Sequence, residues 1–260
     1  MNLELLTRAG DARPGRPALL FVHGGFHGAW CWDEHYLGFF AERGWAAHAL
    51  SLRGHGKSDG HDRIRRWSLA DYAQDVMATC RELGERVVLL GHSMGGAIAE
   101  RCWAAHPEIA GLVLLAGSPL RPDLGVVAKM LLATPFSLLW GQLRGDPRRL
   151  RSAMAPFFLS PDLDASERAA HLARLDLESP VAIRELFRRG PIARAEGDAR
   201  PALVVAAEHD VSIPVRSHEE PRARLDATLL CVPGAHDLML DPDWRAGAEA
   251  VEAWLRARFD

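Results

Sequence analysis

Arg86-Val87-Val88-Leu89-Leu90-Gly91-His92-Ser93-Met94-Gly95-Gly96 decides how this chain is read. The apolar run through Leu90 has the length and branching of a buried strand, and Met94 to His106 has the length of a helix. Between them, Gly91 to Gly95 spells G-x-S-x-G. A serine in so sharp a strand-to-helix turn sits on strained backbone, and its flanking glycines are required because a side chain there would collide with neighbouring main chain. The strain holds the Ser93 hydroxyl outward at the C-terminal end of the strand. The string alone recurs by chance, so its specificity comes from the strand before it and the helix after it.

Outward from this turn, Ala18 to Val22, Ala46 to Leu50, Gly111 to Ala116, Ala202 to Ala207 and Thr228 to Val232 are further short apolar runs, most ending in Gly, His or Asp. Helix-length segments such as Ser68 to Leu83 lie between them. That alternation predicts an α/β fold, a mostly parallel central sheet joined by right-handed crossovers and flanked by helices. A last helix is expected with Asp241 as N-cap, Pro242 at its first position and Trp244, Ala248, Val251 and Leu255 on one side, closing a sheet face.

The alternation lapses between Ser118 and Arg200, where Met130, Leu131, Leu132, Phe136, Leu138, Leu139, Trp140, Phe157 and Phe158 mix with prolines and arginines. Apolar helices without strand partners must bury their faces nearby, so this segment reads as a helical insertion folded over the C-terminal edge of the sheet. The expected organisation is a core of residues 1–117 and 201–260 interrupted by a cap, 118–200, whose apolar side chains can meet a substrate. Arg144 to Arg151 within it reads as a solvated helix face.

Bulk properties narrow the function classes. Hydrophobic residues at 48%, charged residues at 25% and a net charge of -3 describe an ordinary globular protein and exclude a basic nucleic-acid surface. Its expected partner is a small molecule, and oligomeric state is not legible. Cys31, Cys80, Cys102 and Cys231 are scattered with no CxxC pair, which fits neither a zinc site nor a disulfide framework and points to a reducing cytoplasm. No eighteen-residue uncharged apolar run suggests a membrane span, and Met1 to Gly10 does not read as a secretory leader.

A serine hydroxyl is a weak nucleophile, so a histidine must take its proton and a carboxylate must hold that histidine. Among twelve histidines, His236 follows the last predicted strand across Pro233-Gly234-Ala235, a turn that returns it to the C-terminal edge of the sheet. His92 is too close to Ser93 in the turn to reach back to its hydroxyl, and His23 reads as a brace for its own loop. Asp210 lies past the strand Ala202 to Ala207, in the loop before a helix expected to start at Pro214, with Glu208 as the fallback acid. Asp237 cannot easily orient the ring of its neighbour. For the oxyanion of an acyl transfer, the Met94 amide at a helix start supplies one donor, and the loop His23-Gly24-Gly25-Phe26-His27-Gly28 supplies a second through Gly25, with Phe26 as the neighbouring candidate. Phe26, Trp140 and Phe157 are the expected substrate-facing side chains. No metal and no organic cofactor are expected.

Together the His-Gly-Gly loop, the G-H-S-M-G-G turn, the E-H-D strand end and the G-A-H-D turn resemble the α/β-hydrolase superfamily, in its serine esterase and lipase-like branch, where nucleophile, acid and histidine follow one another as Ser93, Asp210 and His236 do. Leu52-Arg53-Gly54-His55-Gly56-Lys57-Ser58 is similar to the R-G-x-G-x-S turn of those branches and is read as structural. His27-Gly28-Ala29-Trp30-Cys31-Trp32 is similar to the H-G-A-W-x-W stretch of plant methylesterases and hydroxynitrile lyases. The resemblance to the lyases implies a lysine directly after the histidine, where this chain has Asp237. Haloalkane dehalogenases and epoxide hydrolases resemble one another in an aspartate nucleophile, where this chain has Ser93. What the resemblance implies is a carboxylesterase-like hydrolase working through an acyl-enzyme on a small, largely apolar ester. Alternatives are a C–C bond hydrolase or lactonase using the same three residues, or a low-turnover ligand-binding protein on this fold.

Overall fold

The computed structural model describes residues 1–8, 12–120, 125, 128, 155–192 and 194–260. Seven strands form one sheet: β1 (Leu5–Arg8), β2 (Ala18–Val22), β3 (Ala47–Leu50), β4 (Val87–His92), β5 (Gly111–Leu115), β6 (Ala202–Ala207) and β7 (Thr228–Val232), in the order β1-β3-β2-β4-β5-β6-β7. All neighbouring pairs are parallel except β1 with β3. The predicted runs match these strands to within two residues at either end. The exception is β1, which the sequence does not announce because an edge strand with only half-buried or exposed side chains has no apolar run.

Alternate residues of the central strands feed two cores. Leu19, Phe21, Val88, Leu90, Val113, Leu115, Leu203 and Val205 face one side, with Trp32, Tyr36 and Phe40 from α1 (Trp30–Asp33) and α2 (Tyr36–Ala41). Leu20, Val22, Leu89, Leu112, Leu114 and Val204 face the other, against Tyr72 and Val76 of α3 (Leu69–Leu83) and Ile98 and Trp103 of α4 (Met94–Ala105). Burial on both faces explains why these strands read as continuous apolar runs rather than alternating ones. Helix α3 starts with a capping box, the Ser68 hydroxyl accepting the Asp71 N–H and the Asp71 carboxylate accepting the Ser68 N–H.

From β2 the chain crosses to β3 on one side, and from β4 to β5 on the other. The crevice between the C-terminal ends of β2 and β4 is therefore the switch point at which open α/β sheets bind ligands. Both the His23-to-Gly28 loop and the Ser93 turn open into it.

Between β5 and β6 the described residues hold helices α5 (Ala165–Ala173) and α6 (Pro180–Leu186) and no strand. Leu159, Leu163 and Leu175 join the first core, while Ala182 and Leu186 join the second. Trp140 and Arg144 to Arg151 lie outside the described residues. Near the C-terminus, Pro214 precedes a 3-10 turn (Val215–His218) and α7 (Glu219–Arg224). The last helix, α8, runs from Trp244 to Phe259 with Asp243 as N-cap, two residues later than expected. Asp241 is occupied elsewhere: its carboxylate accepts the N–H groups of Ala235 and Asp243 at 2.7 and 2.9 Å, tying down the turn that carries His236. Ala248, Val251 and Leu255 are buried in the first core as their spacing predicts.

The turn at Ser93 exists only because β4 and β2 approach so closely. A Cβ on Gly95 would fall 2.3 Å from the His23 carbonyl oxygen and 2.4 Å from that of Val22, and one on Gly91 would fall 2.4 Å from the Gly95 carbonyl oxygen. Gly95→Ala is accordingly expected to lower stability by about 1–3 kcal/mol or more, read as a drop in urea midpoint. Gly190→Ala, where a Cβ meets nothing within 4 Å, is the control and should leave the midpoint within about 0.5 kcal/mol of the parent.

Candidate active site

Ser93 has φ 50° and ψ -119°, a backbone conformation that costs a non-glycine residue roughly 1–3 kcal/mol and persists only where its surroundings enforce it. Three hydrogen bonds do so. The Ser93 N–H donates to the Leu115 carbonyl at 3.1 Å, and the Ser93 carbonyl accepts the N–H groups of Gly96 and Ser118 at 3.0 and 3.1 Å. The side chain is left pointing at His236, whose Nε2 is 3.1 Å from the hydroxyl. On the far side of the ring, Nδ1 lies 2.7 Å from Asp210 Oδ2. The other Asp210 oxygen accepts the Ser212 and Ile213 N–H groups at 2.7 and 2.8 Å. Since the carboxylate can only accept, Nδ1 carries the proton and the Nε2 lone pair receives the serine O–H. Burial works against a charged His236, but the Asp210 carboxylate and its hydrogen bond, with Asp237 adding to them, hold the imidazolium above the usual histidine range.

The structure thus brings Ser93, Asp210 and His236 into one hydrogen-bonded line. Glu208, the fallback acid, is exposed to solvent. His92 donates from Nε2 to the His236 carbonyl at 3.0 Å and so braces the backbone behind the ring. Burial and the neighbouring His236 push its pKa down to about 3, so it stays neutral in that role. His23 braces its loop as expected, donating from Nδ1 to the Gly24 carbonyl at 2.7 Å and accepting the Leu52 N–H at 3.0 Å.

The loop after β2 presses on the Ser93 turn: a Cβ on Gly24 would fall 3.1 Å from that of Ser93. Met94 opens α4, so its N–H has no acceptor within the helix. Phe26 takes a positive φ of 70°, and its N–H is not free, donating to Glu178 Oε2 at 3.3 Å. Its ring lies 6.0 Å from that of Phe158, which in turn lies 5.6 Å from the His236 ring. Phe157 is buried one position away, with its carbonyl accepting the Ser212 hydroxyl at 2.7 Å. Trp140 falls outside the described residues.

Sequence reasoning missed a second layer of buried charge. Glu178 accepts from Tyr72 Oη and from its neighbour's amide, Ser179 N–H, at 2.7 and 2.6 Å, and from His55 Nε2 at 3.1 Å. The side chains of Glu178 and His55 are wholly buried. Burial favours the neutral forms, but each partner's charge and their hydrogen bond win, holding Glu178 below the usual carboxylate range and His55 above the usual histidine range. The one signal for Glu178 was the Ser179-Pro180 helix start: the Ser179 hydroxyl caps α6 by accepting the Val181 and Ala182 N–H groups, and that turns the preceding residue inward. Asp237 likewise faces inward, 3.0 Å from His27 Nε2. Burial opposes its charge, but His27, with His92 and His236, holds it below the usual carboxylate range.

His92, His236 and Asp237 place nitrogen and oxygen atoms within 4.8 Å of one another, as metal ligands would. Within this cluster both His236 nitrogens are engaged by Ser93 and Asp210 and His92 Nε2 by a carbonyl, while His92 Nδ1 and one Asp237 oxygen are buried without a hydrogen-bond partner. Among the described residues, no helix is long and apolar enough to cross a membrane.

Comparison with known proteins bears on the family and the fold. The mouse protein phosphatase methylesterase 1 is 36% identical over 104 residues, 38% of this chain and 27% of the mouse protein. The chain therefore spans about a quarter of the length of that relative. A monoacylglycerol lipase from Mycolicibacterium smegmatis is 27% identical over 239 residues, 85% of this chain and 82% of the lipase. Among solved structures, the esterase EaEST from Exiguobacterium antarcticum superposes with a TM-score of 0.76 at 16% identity, covering 98% of this chain and 95% of the esterase. A bromoperoxidase from Bacillus anthracis superposes with 0.77 at 18% identity, covering 98% and 95%. An esterase and a bromoperoxidase share this fold, so the likeness speaks to architecture alone. The profile of the alpha/beta hydrolase family matches residues 19–248, and the chain belongs to that family.

Proposed function

We propose that this hydrolase is a carboxylesterase-like enzyme that cleaves a small, largely apolar ester through an acyl-enzyme on Ser93. The observation that carries the reading is the relay in which His236 stands 3.1 Å from the Ser93 hydroxyl and 2.7 Å from Asp210. His236 Nε2 takes the proton as Ser93 Oγ bonds to the ester carbonyl carbon, and the carbonyl π-electrons move onto oxygen. The Gly25 and Met94 amides receive that oxyanion, Met94 with the partial positive charge of a helix N-terminus behind it. As the tetrahedral centre collapses, the bond to the alkoxy oxygen breaks and His236 returns its proton to the departing alcohol. Water then repeats the sequence on the acyl-enzyme, with His236 as base, and releases the acid.

Phe26 and Phe158 form an aromatic wall beside His236 and favour an apolar acyl group, with the described residues between β5 and β6, Phe157 among them, as the cover over it. Asp237 supports ester cleavage over cyanohydrin chemistry, because the position beside His236 holds a buried anion bonded to His27 rather than a cation. The same relay requires no metal.

Short p-nitrophenyl esters test the reading: Ser93→Ala should lose on the order of 10⁴-fold or more in kcat/KM and all labelling by a fluorophosphonate. Equal hydrolysis by parent and variant rejects Ser93 as the nucleophile. The pH dependence tests the base. Only neutral His236 accepts the serine proton, so kcat/KM should fall as pH drops through its raised pKa. Asp210→Asn removes what raises that pKa and leaves the burial that lowers it. The acid limb should therefore move to lower pH while the plateau drops by about 10⁴-fold. A limb that stays in place assigns the titration to another group.

A further inference from the structure

One peptide unit in the loop after β2 is held at both ends by buried charge. The Gly25 carbonyl accepts from His27 Nδ1 at 2.8 Å, while the N–H of the same peptide, on Phe26, donates to Glu178 Oε2 at 3.3 Å. Each gripping group is itself half of a histidine–carboxylate pair. His27 Nε2 faces Asp237 Oδ2 at 3.0 Å, so both ring nitrogens meet oxygen atoms. His55 is in the same position, with Nε2 on Glu178 and Nδ1 3.3 Å from the Arg53 carbonyl. The two pairs arrive from opposite directions: Asp237 from the turn beside His236, Glu178 from the segment between β5 and β6. Tyr72 of α3 secures Glu178 from below with its hydroxyl at 2.7 Å.

That peptide needs holding. Phe26 has φ 70°, a left-handed conformation that a side chain disfavours, and a relaxed loop would rotate the Gly25–Phe26 plane and carry Gly25 with it. With Phe26 N–H bound to Glu178, the neighbouring Gly25 amide is the donor proposed to meet an oxyanion. A carboxylate so close to a developing negative charge would repel it were its own charge not matched by His55.

Resting on the reading of Ser93 as nucleophile, we propose that Glu178 and Asp237, through His55 and His27, are positioning residues that clamp the Gly25–Phe26 peptide and so aim the Gly25 amide at the tetrahedral intermediate. Neither carboxylate touches the reacting atoms. Their effect falls on the transition state, because the ground-state carbonyl carries little charge for a misaimed amide to lose.

The test compares parent, Glu178→Met, Glu178→Gln and Asp237→Asn with p-nitrophenyl butyrate and with an aryl trifluoromethyl ketone. The ketone adds Ser93 Oγ to its carbonyl carbon, passes the serine proton to His236 and leaves an oxyanion in place of the ester's. Glu178→Met, which fills the space but accepts nothing, should lower kcat by about 30-fold or more, with KM within about threefold and ketone affinity falling in step with kcat, as misaligning one oxyanion donor requires. Glu178→Gln keeps an acceptor for Phe26 N–H and should recover most of that loss. Asp237→Asn should show the same division between kcat and KM. Wild-type kcat in these variants, or equal losses in substrate and ketone affinity, overturns the clamp.

Should Glu178→Met not fold, Tyr72→Phe removes a single support and should reduce kcat by about three- to tenfold at constant KM; unchanged kcat overturns the proposal. Amide exchange at Phe26 gives a readout independent of turnover. It should be slow in the parent and faster in Glu178→Met or Tyr72→Phe, and equal exchange counts against the clamp. A parent that cleaves no ester and takes no fluorophosphonate label overturns the esterase reading alone.

Discussion

Everything at this site depends on a backbone that would not hold its shape by itself. Ser93 lies at φ 50°, where an L-residue pays roughly 1–3 kcal/mol, out of a total stability that for domains of this kind is about 5–15 kcal/mol. Such strain survives only in the stiffest part of a fold. Here that part is β4, with β2 hydrogen-bonded on one side, β5 on the other and apolar side chains on both faces. The Leu115 carbonyl that restrains the Ser93 N–H belongs to β5, and the carbonyls that forbid a side chain at Gly95 belong to the end of β2 and the residue after it. The position of Ser93 is thus a property of three strands acting together.

Electrostatics is arranged with similar care around the histidines. Five of them, His23, His27, His55, His92 and His236, are buried at the end of β4 and in the loops after β2, β3 and β7. Five positive charges in that volume could not coexist. The hydrogen-bond pattern divides them: His23 and His92 each serve a carbonyl while neutral, and burial pushes both below the usual histidine range. His27 and His55 each face a carboxylate and a carbonyl. His236 is left as the ring that can change charge during a reaction, with Asp210 to steady the charged form. Removing one partner of a buried pair typically costs about 3–5 kcal/mol, so the neighbouring pairs resist the disturbance that turnover at His236 creates.

What the sequence made legible follows from how local each signal is. The strand ends, the G-x-S-x-G turn and the chain order of Ser93, Asp210 and His236 are written in short stretches whose meaning survives out of context. Choosing Asp210 over Glu208 needed only the length of β6, since two residues further along the chain turns an exposed acid into a buried one. Strand β1 was illegible because pairing at a sheet edge asks nothing distinctive of side chains. The N-cap of α8 was misplaced by two residues because Asp241 satisfied every local rule for a cap, while a tertiary demand, the Ala235 amide, claimed its carboxylate first. Glu178 was out of reach for the same reason in stronger form. Phe26, His55 and Tyr72, which donate to it, lie in three separate parts of the chain, and none leaves a mark on the residues beside it beyond the Ser179-Pro180 turn.

That last contrast bears on how the segment between β5 and β6 relates to the chemistry. Read from sequence, it was a cover whose apolar residues would meet substrate. In the structure its described residues also send a charged group downward, through the crevice and onto the backbone next to Gly25. Phe158 makes a comparable connection, since its carbonyl accepts the Asp237 N–H at 3.0 Å while its ring lies over His236. A segment bonded to the backbone of both loops is mechanically part of the site. On the proposed reading, change in the apolar residues of this segment would alter which esters fit, whereas change at Glu178 would act on the loop that it bonds, so specificity and turnover would rest on different residues of one insertion.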